Sequence, residues 1–294
     1  MNEAAASRFE PYRARLVRHA YRMMGERAEA EDVVQDAYVR WHTAAAAATI
    51  TDDLAFLRVT VTRLCLDRLR STRARREAYV GPWLPEPLIG PRDDGPEVLT
   101  ALADDVSFAL LLALERLSAL ERAAFLLHDV MDVPFAEVAR TLGRSEAAVK
   151  ALASRARGHV RLPRRRGLSA AEAFRVRGAF ADAIGKDDVA ALQRLLCADV
   201  VLVSDSGGKV PAAMVPVRGV DHVGRLIAGL ARKATPTTQL ELALVNGMPG
   251  FIVADRERIV QTVALQVEDG QIAAIYVTRN PDKLRAVARL RGET

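Results

Sequence analysis

Aromatic residues make up only 5% of this 294-residue chain and cysteine occurs twice, so neither ring-rich packing nor a disulfide framework can carry the fold. Cys65 and Cys197 form no CxxC pair and read as small apolar core residues in a reducing compartment. Long hydrophobic runs are also missing: a stretch such as Phe108 to Leu114 is far short of the roughly 20 residues a bilayer requires. The start MNEAAASRFEPYRARL carries acids and has no continuous apolar stretch of the signal-peptide kind. A cytoplasmic protein with no membrane partner is therefore expected. No HExxH, Walker-type or GxGxxG string occurs, so no metal, nucleotide or other cofactor site is expected.

What remains is helical and basic. Half of the residues are hydrophobic, and the cores should be alanine, leucine and valine packed from helices. The length suggests about two to three domains. The formal charge of +5 matters less than its placement, because arginines crowd residues 58–76 and 144–166.

The stretch PFAEVARTLGRSEAAVKALASRARGHVR at 134–161 reads as two short helices joined by a tight turn. Pro134 can open the first and Gly143 can close it in the left-handed conformation. Ser145 caps the second, and Glu146 complements its dipole. At about 100° per residue, Val149, Leu152, Ala153, Ala156 and Val160 share one arc while Glu146, Lys150, Ser154, Arg157 and Arg161 share the next. From Arg144 to Arg166 eight basic residues face the single acid Glu146. That balance fits a recognition helix in a major groove, although an ordinary hairpin with a solvated cationic face has the same pattern.

Earlier in the chain, AEAEDVVQDAYVRW places Val33, Val34, Ala37, Tyr38 and Trp41 at helical spacing and leaves an acidic rim of Glu31, Asp32, Gln35 and Asp36. After a cap region at Thr49 to Asp53 comes a long helix. Leu54, Leu57, Val61, Leu64 and Cys65 form its buried stripe, and arginines surround it. Such a helix can neutralise several phosphates. Five of the thirteen prolines fall between Gly81 and Pro96, a semi-rigid linker whose Trp83 and Leu84 should bury themselves against a neighbouring domain. The organisation expected is 1–80 helical, 81–98 linker, 99–163 helical with the helix-turn-helix, and 164–294 of different character. In the last part, helices at 169–186 and 188–196 precede strand-like runs at 200–203, 210–217, 238–245, 250–254, 258–267 and 271–278, which argues an α+β domain.

The order of these elements resembles the sigma-70 family of bacterial transcription initiation factors, extracytoplasmic-function group, over residues 8–161. AEAEDVVQDAYVRW resembles region 2.2, the arginine-rich helix regions 2.3 and 2.4, and the helix-turn-helix region 4. The C-terminal part resembles a SnoaL-like (nuclear-transport-factor-type) cone around a pocket. WLPEP at 83–87, DSGGK at 205–209 and NPDKL at 280–284 resemble signatures of a sigma subgroup carrying that extension as a regulator. Pro134, where a capping serine is usual, Ala147-Ala148 and Ser206 depart from the family pattern.

The resemblance implies a multidomain fold: two all-α domains and a C-terminal α+β cone. It implies a sigma factor that directs RNA polymerase core enzyme to promoter DNA. Core binding would fall to Asp32, Val33, Gln35 and Asp36. Contact with the −10 element would fall to Thr49, Asp53, Arg58, Arg63, Arg70 and Arg73, and with the −35 element to Arg144, Ser145, Glu146, Lys150, Ser154 and Arg155. Interdomain regulation would involve Trp83, Leu84, Pro85, Asp205, Gly207, Gly208, Lys209, Asn280, Pro281, Asp282 and Lys283, with an unidentified small ligand as an optional occupant of the pocket. The protein would catalyse no reaction itself. Two other readings compete: a ligand-sensing helix-turn-helix regulator acting as a dimer on duplex DNA, and a SnoaL-like isomerase or cyclase drawing on Asp205, Asp255, His222 or Tyr276.

Overall fold

The computed structural model describes residues 3–47, 50–90, 107–160 and 170–290. Thr49 and residues 91–98, expected to finish the linker, lie outside them. Contacts group the chain into two compact units, Met1–Ala78 with Leu111–Leu162 and Tyr79–Leu110 with Pro163–Thr294.

In the first unit, α1 (Glu3–Met24), α2 (Arg27–Ala47) and α3 (Asp53–Glu77) pack on one another, with Gly25 in the left-handed conformation turning α1 into α2. Most of the stripe residues are buried: Leu16, Ala20 and Met23 from α1, Val33, Val34, Ala37 and Trp41 from α2, Leu57, Val61, Leu64 and Cys65 from α3, whereas Tyr38 and Leu54, expected among them, are only half-buried. Burying each larger side chain contributes roughly 1.5–3 kcal/mol. Next come α4 (Phe108–Glu115) and α5 (Ala119–Phe125). A reciprocal box, in which Ser118 Oγ accepts from Glu121 N and Glu121 from Ser118 N, opens α5. A single π turn, Leu126–Val130, follows it.

The helix-turn-helix is α6 (Phe135–Leu142) and α7 (Glu146–His159). Pro134 stands one position earlier than expected, as the N-cap with φ −56° and ψ 141°. Gly143 closes α6 at φ 61°, and Ser145 caps α7 by accepting from Ala148 N at 3.2 Å. Val149, Leu152, Ala153 and Ala156 are buried, and Arg144, Lys150, Ser154 and Arg155 are exposed.

The second unit is α+β. Helices α8 (Ala170–Gly185), α9 (Val189–Leu195) and α10 (Val220–Ala231) accompany a sheet of β1 (Leu196–Asp205), β2 (Val217–Arg218), β3 (Thr238–Val245), β4 (Met248–Asp255), β5 (Arg258–Glu268) and β6 (Gln271–Thr278), closed by α11 (Pro281–Leu290). The strand order is β2-β1-β6-β5-β4-β3, with β1 and β6 parallel and the other neighbours antiparallel. Two-residue turns at Asn246-Gly247, Arg256-Glu257 and Asp269-Gly270 have positive φ throughout, the geometry that matches strand twist. Between the helices and the sheet, Phe180, Leu192, Leu202, Phe251, Leu265 and Ile275 form a packed core, with Phe180 and Phe251 stacked at 5.9 Å.

Two expectations fail locally. The run 210–217 is not a strand: only Val217 and Arg218 pair, because Pro211 and Pro216 lack the N–H a ladder needs. Cys197 is only half-buried, its Sγ donating to Ile272 O at 3.3 Å, whereas Cys65 is a core residue as expected and burial pushes its thiol pKa up.

Candidate promoter interface and linker latch

The exposed face of α7 is held in place by ion pairs at its rear. Arg155 Nε donates to Glu121 Oε1 at 2.8 Å and Arg157 Nε to Asp129 Oδ1 at 2.5 Å. The bond from Arg155 keeps the Glu121 carboxyl below its ordinary pKa. Lys150 pairs with Glu146 at 2.7 Å and lies 5.6 Å from the centroid of Phe135. Phe135 in turn stacks on His128 at 3.6 Å. Arg144, Lys150 and Arg155 are all solvent-exposed, with Lys150 and Arg155 each tied to a carboxylate.

Around α3 the arrangement differs from the expected open groove. Asp53 is buried and accepts from Arg8 at 2.6 and 2.8 Å and from Trp41 Nε1 at 2.9 Å. It ties three helices together, so it is not part of a pocket rim. Arg58 forms an ion pair with Glu137 of α6, and Arg63 donates to Thr141 O at 3.1 Å and Arg140 O at 3.2 Å. Arg70 is exposed beside Asp67 at 3.8 Å, and the side chain of Arg73 lies outside the described residues.

Arg122, which sequence reasoning missed, donates to Met23 O at 2.5 Å and to Glu115 at 2.7 Å while burial draws its pKa down to about 10. Its signal was an arginine directly before the apolar run AAFLL at 123–127, but its partner is 99 residues away. His19, which shares helical spacing with Leu16, Ala20 and Met23 in the sequence, is buried with them beside Thr62 at 2.9 Å, and burial, with Arg22 and Arg58 adding to it, lowers its pKa to about 3.

In the second unit the three short strings meet. Asp205 is fully buried and its carboxylate accepts from Tyr79 Oη at 2.5 Å, Leu84 N at 2.8 Å, Lys283 Nζ at 2.7 Å and Gly207 N at 3.1 Å. Its carbonyl accepts from Arg279 N and Asn280 N. Lys283 also donates to Leu84 O and sits 4.3 Å above the Trp83 ring. Asn280 donates to Tyr79 Oη at 2.8 Å, and Lys209 pairs with Asp282, holding that carboxyl below its ordinary pKa. The segment 79–90 is fastened again further on: Asn246 N donates to Leu88 O at 2.7 Å, Leu88 N to Asn246 Oδ1 at 3.0 Å and Gly90 N to Leu244 O at 3.0 Å.

Gly207 and Gly208 have φ of 58° and 72°, and a Cβ on Gly207 would lie 2.6 Å from Asn280 Nδ2. Gly207→Ala should therefore cost about 1–3 kcal/mol and speed proteolytic cleavage within 79–90. Unaltered melting and cleavage would show that this close approach does not hold the segment.

Comparison with known proteins follows the same division. Residues 8–75 match the model of sigma-70 region 2 and residues 107–160 that of sigma-70 region 4. The ECF RNA polymerase sigma factor SigJ of Mycobacterium tuberculosis is 41% identical over 94% of this chain and 92% of its own length. The chain belongs to the extracytoplasmic-function sigma factors. Its sequence is also 32% identical to the probable sigma factor SigI of that organism over 97% of both chains. The crystal structure of SigJ superposes with a TM-score of 0.77 at 40% identity, covering 95% of this chain and 97% of that one.

In this sigma factor the rim of α2 is split. Asp32, Gln35 and Asp36 are exposed, and Asp36 accepts from Arg68 at 2.6 Å. Val33 is fully buried, which removes it from any contact surface: it anchors α2 to the core. The four residues weighed for catalysis are not brought together. Asp205 is enclosed in the latch. Tyr276 donates to Gln266 at 2.7 Å, with burial pushing its hydroxyl up to about 12. Asp255 sits on the surface accepting from Thr235 and Thr237, and His222 is exposed on the first turn of α10. Among the described residues no helix is long and apolar enough to cross a membrane, and no cluster could hold a metal ion.

Proposed function

We propose that this sigma factor carries bacterial RNA polymerase core enzyme to its promoters by laying α7 in the −35 major groove and α3 along the −10 strand, while the C-terminal unit governs the linker between them. The observation that carries this is the ordered basic face of α7, with Arg144, Lys150 and Arg155 exposed on a capped helix behind which Glu121 and Asp129 supply fixed counter-charges. Lysine and arginine contacts of this kind chiefly grip phosphates and set register. Arg58, Arg63, Arg70 and Arg73 would follow the −10 strand, with aromatic and apolar neighbours offsetting the few kcal/mol of base unstacking.

Asp32, Gln35 and Asp36 form the docking rim for core polymerase. The latch of Asp205, Lys283, Trp83 and Asn280 fixes the linker to the C-terminal unit, which supports regulation by that unit. Catalysis is left to polymerase. The site of action is the cytoplasm, where polymerase and promoter are found.

Docking is tested by Asp32→Lys in the full chain. Asp32 is exposed, so the fold should persist while affinity for core enzyme falls by about tenfold as a cationic partner surface is repelled. Core affinity equal to the parent chain would remove α2 from the interface.

A further inference from the structure

In the first unit, two of the four arginines assigned to the −10 strand, Arg58 and Arg63, are already occupied by the helix-turn-helix. Arg58 is ion-paired with Glu137, with only 12% of its side chain and 27% of that of Glu137 exposed. Arg63 forks onto Arg140 O and Thr141 O, carbonyls of the last turn of α6, where the helix dipole is negative. Arg122 clasps the C-terminal turn of α1 through Met23 O. A carboxylate and a pair of partly negative carbonyl oxygens, spaced to meet two arginines one and a half turns apart on α3, offer those arginines what adjacent phosphates would offer. A guanidinium held in this way is turned towards α6, and the same N–H groups cannot at once grip a phosphate.

We infer that Glu137 and the C-terminal carbonyls of α6 act as an internal stand-in for promoter phosphates, keeping Arg58 and Arg63 out of use in the free sigma factor until the two reading modules separate. The inference rests on the assignment of Arg58 and Arg63 to the −10 strand. It also gives the pairing a purpose that stability alone does not require, since an ion pair that keeps some contact with solvent contributes only modestly. Free protein would then bind single-stranded −10 DNA weakly, and polymerase, by drawing the modules to separate places on its surface, would release the arginines.

The test compares the full chain with Glu137→Gln and Glu137→Ala, measuring anisotropy of a labelled single-stranded −10 oligonucleotide, first with free protein and then with reconstituted holoenzyme. Either variant should raise the affinity of free protein by about fivefold, the size of one partly buried ion pair, and leave holoenzyme binding unchanged. Arg58→Ala, which breaks the same pair but removes the DNA contact, should instead lower holoenzyme binding. If Arg58→Ala weakens holoenzyme binding while both Glu137 variants leave free-protein affinity as it was, the stand-in is refuted and the −10 assignment survives. If Arg58→Ala and Arg63→Ala leave holoenzyme binding intact, the −10 assignment fails and the inference falls with it. A melting curve on each variant separates these outcomes from loss of fold.

Discussion

Replacing Lys283 by Met should lower the stability of the second unit by about 3–5 kcal/mol, because it leaves the Asp205 carboxylate charged, enclosed and without its cation. Asp205 has no exposed surface and Lys283 very little, so solvent cannot take over for the missing partner. Tyr79, Leu84 N and Gly207 N still donate to the carboxylate, but three neutral donors do not replace an ammonium group at 2.7 Å. At roughly 2–4 °C per kcal/mol for a unit of this size, the melting temperature should drop by about 10 °C. Asp205→Asn alone should be similarly damaging, since it leaves the Lys283 ammonium buried over Trp83. The double variant should recover much of the loss, because both charges are gone. Calorimetry on the three variants, with limited proteolysis at 79–90 as a second readout, checks this. If each single variant melts like the parent, the latch is not what holds the linker.

Lys150→Glu should have the largest effect on promoter binding. It removes one cation from the exposed face of α7, places an acid four residues from Glu146, and sets a negative charge against the phosphates. Affinity for duplex carrying the −35 element should fall by about tenfold or more, and the slope of log affinity against log salt should become shallower by about one unit. Core binding should not change. Arg175→Glu, on the exposed side of α8 in the other unit, serves as the charge-matched control and should leave both quantities as they were. Equal loss in the two variants would mean that net charge, and not the face of α7, governs binding.

The helix-turn-helix was legible because its determinants are local. A cap at Ser145, a left-handed Gly143 and an apolar arc at helical spacing all act within a few residues, and each appears where sequence placed it. The α+β character of the C-terminal part was legible for the same reason, through two helices followed by a series of strand-like runs. The turns at Asn246-Gly247 and Arg256-Glu257 and the helix α10 went unread.

The site was legible only in part. Three strings from the linker, the end of β1 and the start of α11 were recognised, and contact of Lys283 with the linker near Trp83 to Pro87 was expected from the resemblance, but its centring on the buried Asp205 carboxylate depends on the parallel pairing of β1 with β6, which no local pattern encodes. Arg122 with Met23, Arg58 with Glu137, and Asp53 with Arg8 and Trp41 are long-range polar contacts of the same kind. In sequence, these arginines look like a solvated face, and Asp53 looks like a helix-start residue. Only the packing of α6 and α5 against α1 and α3 turns them into interior partners.

The most direct measurement is run-off transcription with purified core polymerase, using a panel of genomic promoter fragments and comparing the full chain with one ending at residue 167. Promoter-dependent transcripts that require the full chain, with yield altered by the truncation, are the expected result. A chain that never associates with core enzyme, and that instead binds duplex operators unaided as a dimer, would contradict the account.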